Sequence, residues 1–136
     1  MRFKGRAISK GVGEGEVLLS AEPISFLGGV DAKTGEVVEK NHPLKGKSVA
    51  GKILVFPRGK GSTVGSYVMY QLARNKVAPS AIINEEAEVI VAVGAIVSGI
   101  PMVDMLENKA WKAFKDGERV RVNGTEGYVE KLDDAG

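Results

Sequence analysis

Apolar positions along this chain come mainly in short runs, separated by glycines and by charged residues. That spacing predicts many short strands joined by tight turns. A first strand is expected over Phe3–Ile8, a Gly-rich turn from Gly11 to Gly15, and a second strand over Glu16–Leu19. Gly28-Gly29 opens a loop that passes through Asp31-Ala32-Lys33-Thr34-Gly35, a turn-forming composition, to His42-Pro43. Lys52–Phe56 is a continuous apolar run and reads as a buried strand. Beyond Pro57–Gly61 the period changes. Over Thr63–Asn75, Val64, Tyr67, Val68, Gln71 and Leu72 fall on one face at helical spacing. Ser80–Asn84 and Glu88–Val93 return to a strand-like pattern, and Asp104–Phe114 reads as a short helix. Arg119–Val122, the Asn123-Gly124 turn and Gly127–Glu130 form a hairpin signature. The expected fold class is α+β and β-rich, built around a strand–Gly-rich loop–helix unit at residues 52–75.

Composition narrows the function. The 136 residues suit one domain, and 43% hydrophobic with 26% charged is globular composition. A net charge of +2, with acids and bases interspersed, gives no reason to expect a nucleic-acid partner. The chain has no cysteine and one histidine, His42, which excludes a cysteine-ligated cluster or thiolate catalysis and argues against a zinc site within it. No apolar run reaches the roughly 20 residues of a membrane helix, and the Met1-Arg2-Phe3-Lys4-Gly5 start lacks the apolar stretch of a signal peptide. A cytoplasmic protein without a membrane partner is expected.

The segment Pro57-Arg58-Gly59-Lys60-Gly61-Ser62-Thr63-Val64-Gly65-Ser66 carries the candidate chemistry. Gly59 and Gly61 let the backbone approach a ligand closely. The helix that follows presents unpaired N–H groups, and Arg58 and Lys60 add positive charge. Together they suit a carboxylate or phosphate. The spacing fits neither a Walker A loop nor a dinucleotide loop, because Lys60 precedes the second glycine and Gly65 comes one residue late. Gly-x-Ser-x-Gly is also absent. On spacing alone, Ser62 or Thr63 reads first as a helix N-cap, worth about 1 kcal/mol, and only second as a catalytic group. Likewise His42 before Pro43 reads as a loop anchor, Asp31 and Asp104 as turn or cap residues, and Trp111 as a packing residue.

Several segments in order resemble the aconitase X swivel-domain family: Ile24–Asp31, His42-Pro43-Leu44, Gly51–Leu54, Pro57–Ser66, Ala78-Pro79 and Ile100-Pro101. Ala32 departs from the proline found in many relatives. The resemblance runs from about residue 2 to 131, so residues 1–136 are expected to be a single domain. It implies a swivelling β/β/α domain that acts as the small subunit of a heteromer, closing over a large subunit that holds a 4Fe–4S cluster. Ser62 matches the family's catalytic serine and would be the proton acceptor. Arg58, Gly59, Lys60, Gly61 and Thr63 would line the substrate, a small phosphorylated hydroxy acid. The implied reaction is dehydration of (R)-5-phosphomevalonate to trans-anhydromevalonate 5-phosphate in the archaeal mevalonate route to isoprenoids. A related cis-3-hydroxyproline dehydratase subunit and a non-catalytic anion-binding module are the alternatives.

Overall fold

A computed structural model describes residues 1–61 and 63–132. The described residues form eight strands: β1 (Arg2–Lys4), β2 (Arg6–Ser9), β3 (Val12–Leu19), β4 (Ile53–Phe56), β5 (Ala81–Asn84), β6 (Met102–Asp104), β7 (Arg119–Asn123) and β8 (Tyr128–Lys131). Two helices, α1 (Gly65–Arg74) and α2 (Val89–Ser98), and a 3-10 segment, Glu107–Lys112, complete the regular structure.

The strands run in the order β1-β8-β7-β3-β4-β5-β6-β2. β3, β4, β5 and β6 are mutually parallel, while β1, β8, β7 and β3 pair antiparallel, as do β2 and β6. The two ends of this order are β1 and β2, which are separated in sequence by Gly5 alone. The sheet therefore curls until its two edges meet. A side chain at Gly5 would strike Asp104 O at 2.6 Å, so the seam is tight.

Alternation along the strands divides the core in two. Ile53, Val55, Ala81, Ile83 and Val103 face inward against Val120, Val122 and Val129 of the antiparallel half, with Trp111 and Phe114 of the 3-10 region packed beside them. Leu54, Phe56, Ile82 and Met102 face outward, beneath α1, α2 and the 20–50 loop. Both faces of β4 and β5 are thus covered, and every residue in them is buried. This is a β/β/α layering.

Four sequence expectations need correction. Phe3–Ile8 is two strands, because Gly5 carries the chain from one sheet edge to the other. Gly11–Gly15 is not a turn: Gly13 and Gly15 lie inside β3, where a Cβ would stand 2.2 Å from Ser80 O and 2.7 Å from Gly51 O. Glu88–Val93 is the start of α2, not a strand. Both oxygens of Glu88 accept from the helix's first amides, Ile90 N at 3.0 Å and Val91 N at 2.7 Å, and left-handed Gly99 ends it. Asp104 ends β6, and the helix expected over 104–114 is reduced to the short 3-10 segment. Met105, Asn108 and Lys109 have φ of 51°, 55° and 51°, which interrupts any regular helix there.

Candidate active site

The parallel strands β4, β5 and β6 end on one edge, and the connections leaving them begin at residues 57, 85 and 105. Parallel sheets bind ligands on that edge. The Pro57 carbonyl ties two of the connections together by accepting from Glu85 N (3.0 Å) and Glu86 N (3.4 Å). Ile24 then holds the loop from the other side: its N–H donates to Arg58 O (3.2 Å), and its carbonyl accepts from Lys60 N (3.0 Å). This one bridge turns Gly59 inward, where it is buried, and leaves Arg58 and Lys60 exposed.

The glycines are required by contact. A Cβ on Gly59 would lie 2.4 Å from Val91 Cγ2 and 2.7 Å from Glu88 Oε1. Gly61 has φ +98°, a conformation that side chains rarely adopt. Thr63 is exposed, and its carbonyl accepts from Ser66 N (3.4 Å) and Ser66 Oγ (3.1 Å). The N-cap position of α1 belongs to Val64, not Thr63. Among the described residues, the N–H groups of Gly59, Gly61 and Thr63 donate no hydrogen bond. Ser62 lies outside the described residues. Its two chain neighbours therefore both carry amides free to meet an anion.

The two cations are not bare, as the sequence alone suggested. Arg58 Nη2 lies 3.4 Å from Glu85 Oε1, and Lys60 Nζ lies 2.8 Å from Glu39 Oε2. Both pairs are partly exposed, and such pairs are weak enough for an incoming anion to compete with. Sequence reading passed over Glu39, Glu85 and Glu88, since glutamate is not among the usual cap residues and none falls in a motif. The available signal for α2 was at its other end, where Ser98-Gly99-Ile100-Pro101 has the order of a helix stop.

His42, Asp31 and Trp111 are the supports the sequence predicts, whereas Asp104, expected as a turn or cap residue, is instead the buried partner of an ion pair at the end of β6. His42 is buried; Nδ1 accepts from Leu44 N (3.0 Å), which leaves Nε2 to donate to Pro23 O (3.1 Å). It thereby fixes the stretch whose Ile24 holds the loop. Asp104 is fully buried, accepts from Arg6 Nε (2.9 Å) and Nη2 (2.7 Å), and also accepts from Ala87 N (2.7 Å). The hydrogen bond to Asp104 and its negative charge raise the pKa of Arg6 above its ordinary value. Asp31 is a turn residue, accepting from Lys33 N at 2.8 Å. Trp111 packs in the inner core.

Residues 2–131 match the family model for the aconitase X swivel domain. The chain belongs to the aconitase X swivel-domain family. Among swivel-domain relatives, it is 66% identical over 132 residues to the phosphomevalonate dehydratase small subunit of Methanosarcina mazei, covering 97% of this chain and 92% of that one. It is 55% identical over 133 residues to the protein of the same name from Archaeoglobus fulgidus, covering 98% and 100%. Its fold superposes on a chain of Thermococcus kodakaraensis aconitase X in the holo form with a TM-score of 0.93, at 56% identity and covering 98% and 99%. The β/β/α swivel architecture expected from the sequence is therefore the one adopted. The swivel domain offers no home for an iron–sulfur cluster: it has no cysteine, and no three metal-capable side chains cluster among the described residues. None of its described helices is long and apolar enough to cross a membrane.

Proposed function

We propose that this chain is the small subunit of a heteromeric aconitase-like hydro-lyase in the cytoplasm that dehydrates (R)-5-phosphomevalonate to trans-anhydromevalonate 5-phosphate. The observation that carries this reading is 66% identity, over nearly the full length of both chains, to a subunit named for that activity. In this reading Ser62 takes the proton α to the substrate carboxylate. A serine hydroxyl is a weak base in water, and it becomes competent only where its alkoxide is stabilised by fixed dipoles and charge. The unpaired amides of Gly61 and Thr63 flank it, and Arg58 and Lys60 stand on the same loop. Arg58, Gly59, Lys60, Gly61 and Thr63 then hold the anionic groups of the substrate, with Glu39 and Glu85 yielding their cations to it. The 4Fe–4S cluster belongs to the large subunit in this reading, where it would supply a Lewis acid for the departing hydroxyl.

The test is co-purification with a cluster-bearing large subunit, followed by an anaerobic assay with 5-phosphomevalonate. The pair should be active and each chain alone inactive. Ser62→Ala should assemble normally and lose turnover by about a thousandfold or more. Near-normal turnover in that variant removes serine as the base. Activity on cis-3-hydroxyproline in place of the phosphorylated substrate would reassign the substrate and leave the subunit role intact.

A further inference from the structure

α2 reads Val-Ile-Val-Ala-Val-Gly-Ala-Ile-Val-Ser and contains no charged residue. A helix apolar all round is normally covered on every side. Here Val89, Val93, Ile96 and Val97 are 75%, 45%, 57% and 62% exposed. Beside them on α1, Tyr67 and Tyr70 stack with ring centroids 6.4 Å apart. Between the two helices lies a cleft of about 270 Å³ lined by Ser66, Tyr67, Tyr70, Val93 and Val97. Its edge is polar: Arg74 donates to the Tyr70 hydroxyl at 3.3 Å. An apolar centre with tyrosines and an arginine at its rim is the anatomy of a protein interface.

The cleft also has a place in the fold that selects its occupant. Ser66 lines it, and both Ser66 N and Oγ donate to the Thr63 carbonyl, so the cleft starts where the Ser62 loop stops. A partner that closes over that loop lies beside this face and can continue onto it. We propose that the outer α1–α2 face is the docking surface for the large subunit, and this rests on the dehydratase reading above. The domain would pivot on this apolar contact, with the loop at its margin.

The experiment uses the wild-type chain, Val93→Glu, Tyr67→Ser and, as a control on the opposite side of the sheet, the exposed Lys112→Glu. Each is titrated into purified large subunit, with association and dehydratase activity both recorded. A carboxylate forced into the contact should weaken association about 30-fold or more, with the activity at saturation within about twofold of wild type. Tyr67→Ser should weaken it about tenfold and Lys112→Glu should leave it unchanged. In the wild-type complex, amide exchange should slow in residues 63–74 and 89–98. Val93→Glu that binds as tightly as wild type overturns the docking surface, while the active wild-type pair keeps the dehydratase reading. If Val93→Glu fails to fold, an unprotected α2 in the wild-type complex overturns the proposal just as well. A self-dimer of the wild-type chain that Val93→Glu abolishes overturns it in favour of self-pairing. A wild-type chain that binds no large subunit removes both readings together.

Discussion

Gly59→Ala is the sharpest probe of whether the position of the loop matters to catalysis. The new methyl would sit 2.4 Å from Val91 Cγ2 and 2.7 Å from Glu88 Oε1. Carbon atoms in contact settle at about 3.5–4.0 Å, so something must move by about 1 Å. Val91 is only 1% exposed and packed in the outer core. Glu88 cannot swing aside without releasing the two amides it caps. The loop is therefore what yields, and Arg58, Lys60 and Gly61 travel with it. Overpacking of this kind costs about 1–3 kcal/mol, which lowers Tm by roughly 4–12 °C for a domain this size. A shift of about 1 Å at a reacting group costs about 100-fold in turnover. Thermal denaturation of the variant and an anaerobic dehydration assay at saturating large subunit measure the two effects separately. Gly28→Ala is the control: φ is +79°, but nothing lies within 4 Å of its Cβ position. It should cost about 1–2 kcal/mol of backbone strain and leave turnover intact. Turnover within about threefold of wild type in Gly59→Ala, with Tm lowered as expected, would refute the claim that catalysis depends on where this loop sits.

Two further predictions concern stability. Asp104→Ala leaves the Ala87 amide unpaired and removes the Arg6 ion pair that reinforces the β2–β6 ladder; urea denaturation should show a loss of about 2–4 kcal/mol, and a change under about 0.5 kcal/mol would mean the pair is dispensable. At Glu118, burial pushes the carboxyl pKa up, but the Lys115 amide and the Lys131 ammonium more than offset it, so the net pKa lies below the ordinary 4.5. Its stabilising contribution is present above the unfolded value and disappears as pH falls through the folded one. Glu118→Gln should thus weaken the fold at neutral pH and flatten the loss of stability below about pH 4.5; identical slopes in both proteins would count against it.

The sequence was most informative where one local signal acted alone. β4 and β5 read correctly because an apolar run buried on both faces has no other use in so short a segment. The hairpin of β7 and β8 was equally legible, although its loop is longer than the Asn-Gly pair implied: Asn123 Oδ1 accepts from Thr125 N and Glu126 N before left-handed Gly127 turns the chain. α1 was found, but its buried face was misplaced. Gly65, Val68, Met69 and Leu72 are inward, while Val64 and Tyr67 are 47% and 57% exposed. Counting apolar side chains cannot register a glycine such as Gly65 as an inward residue, and Gly94 is what lets α1 and α2 pack closely: a Cβ on Gly94 would meet Met69 Sδ at 2.5 Å. α2 failed for a different reason. Its valines favour strands, and the crossover between the parallel neighbours β5 and β6 outweighs that preference, with the Glu88 cap and the Gly99 stop marking its ends. At the site, the glycines and cations of the loop were visible at once. The carboxylates that meet Arg58 and Lys60 were not, because Glu39 and Glu85 are 21 and 27 residues away in sequence.

The seam at Gly5 bears on how the molecule is made. Residues 2–4 wait for partners at 128–130, and residues 6–9 for partners at 102–104. Each of these strands is thus completed by one synthesised much later in the chain. Until those partners emerge, β1 and β2 stay unpaired, and contacts this distant in sequence form slowly. Closure of the sheet should therefore be a late step in folding, and forms in which β1 and β2 are still unpaired are the ones a chaperone would need to shield.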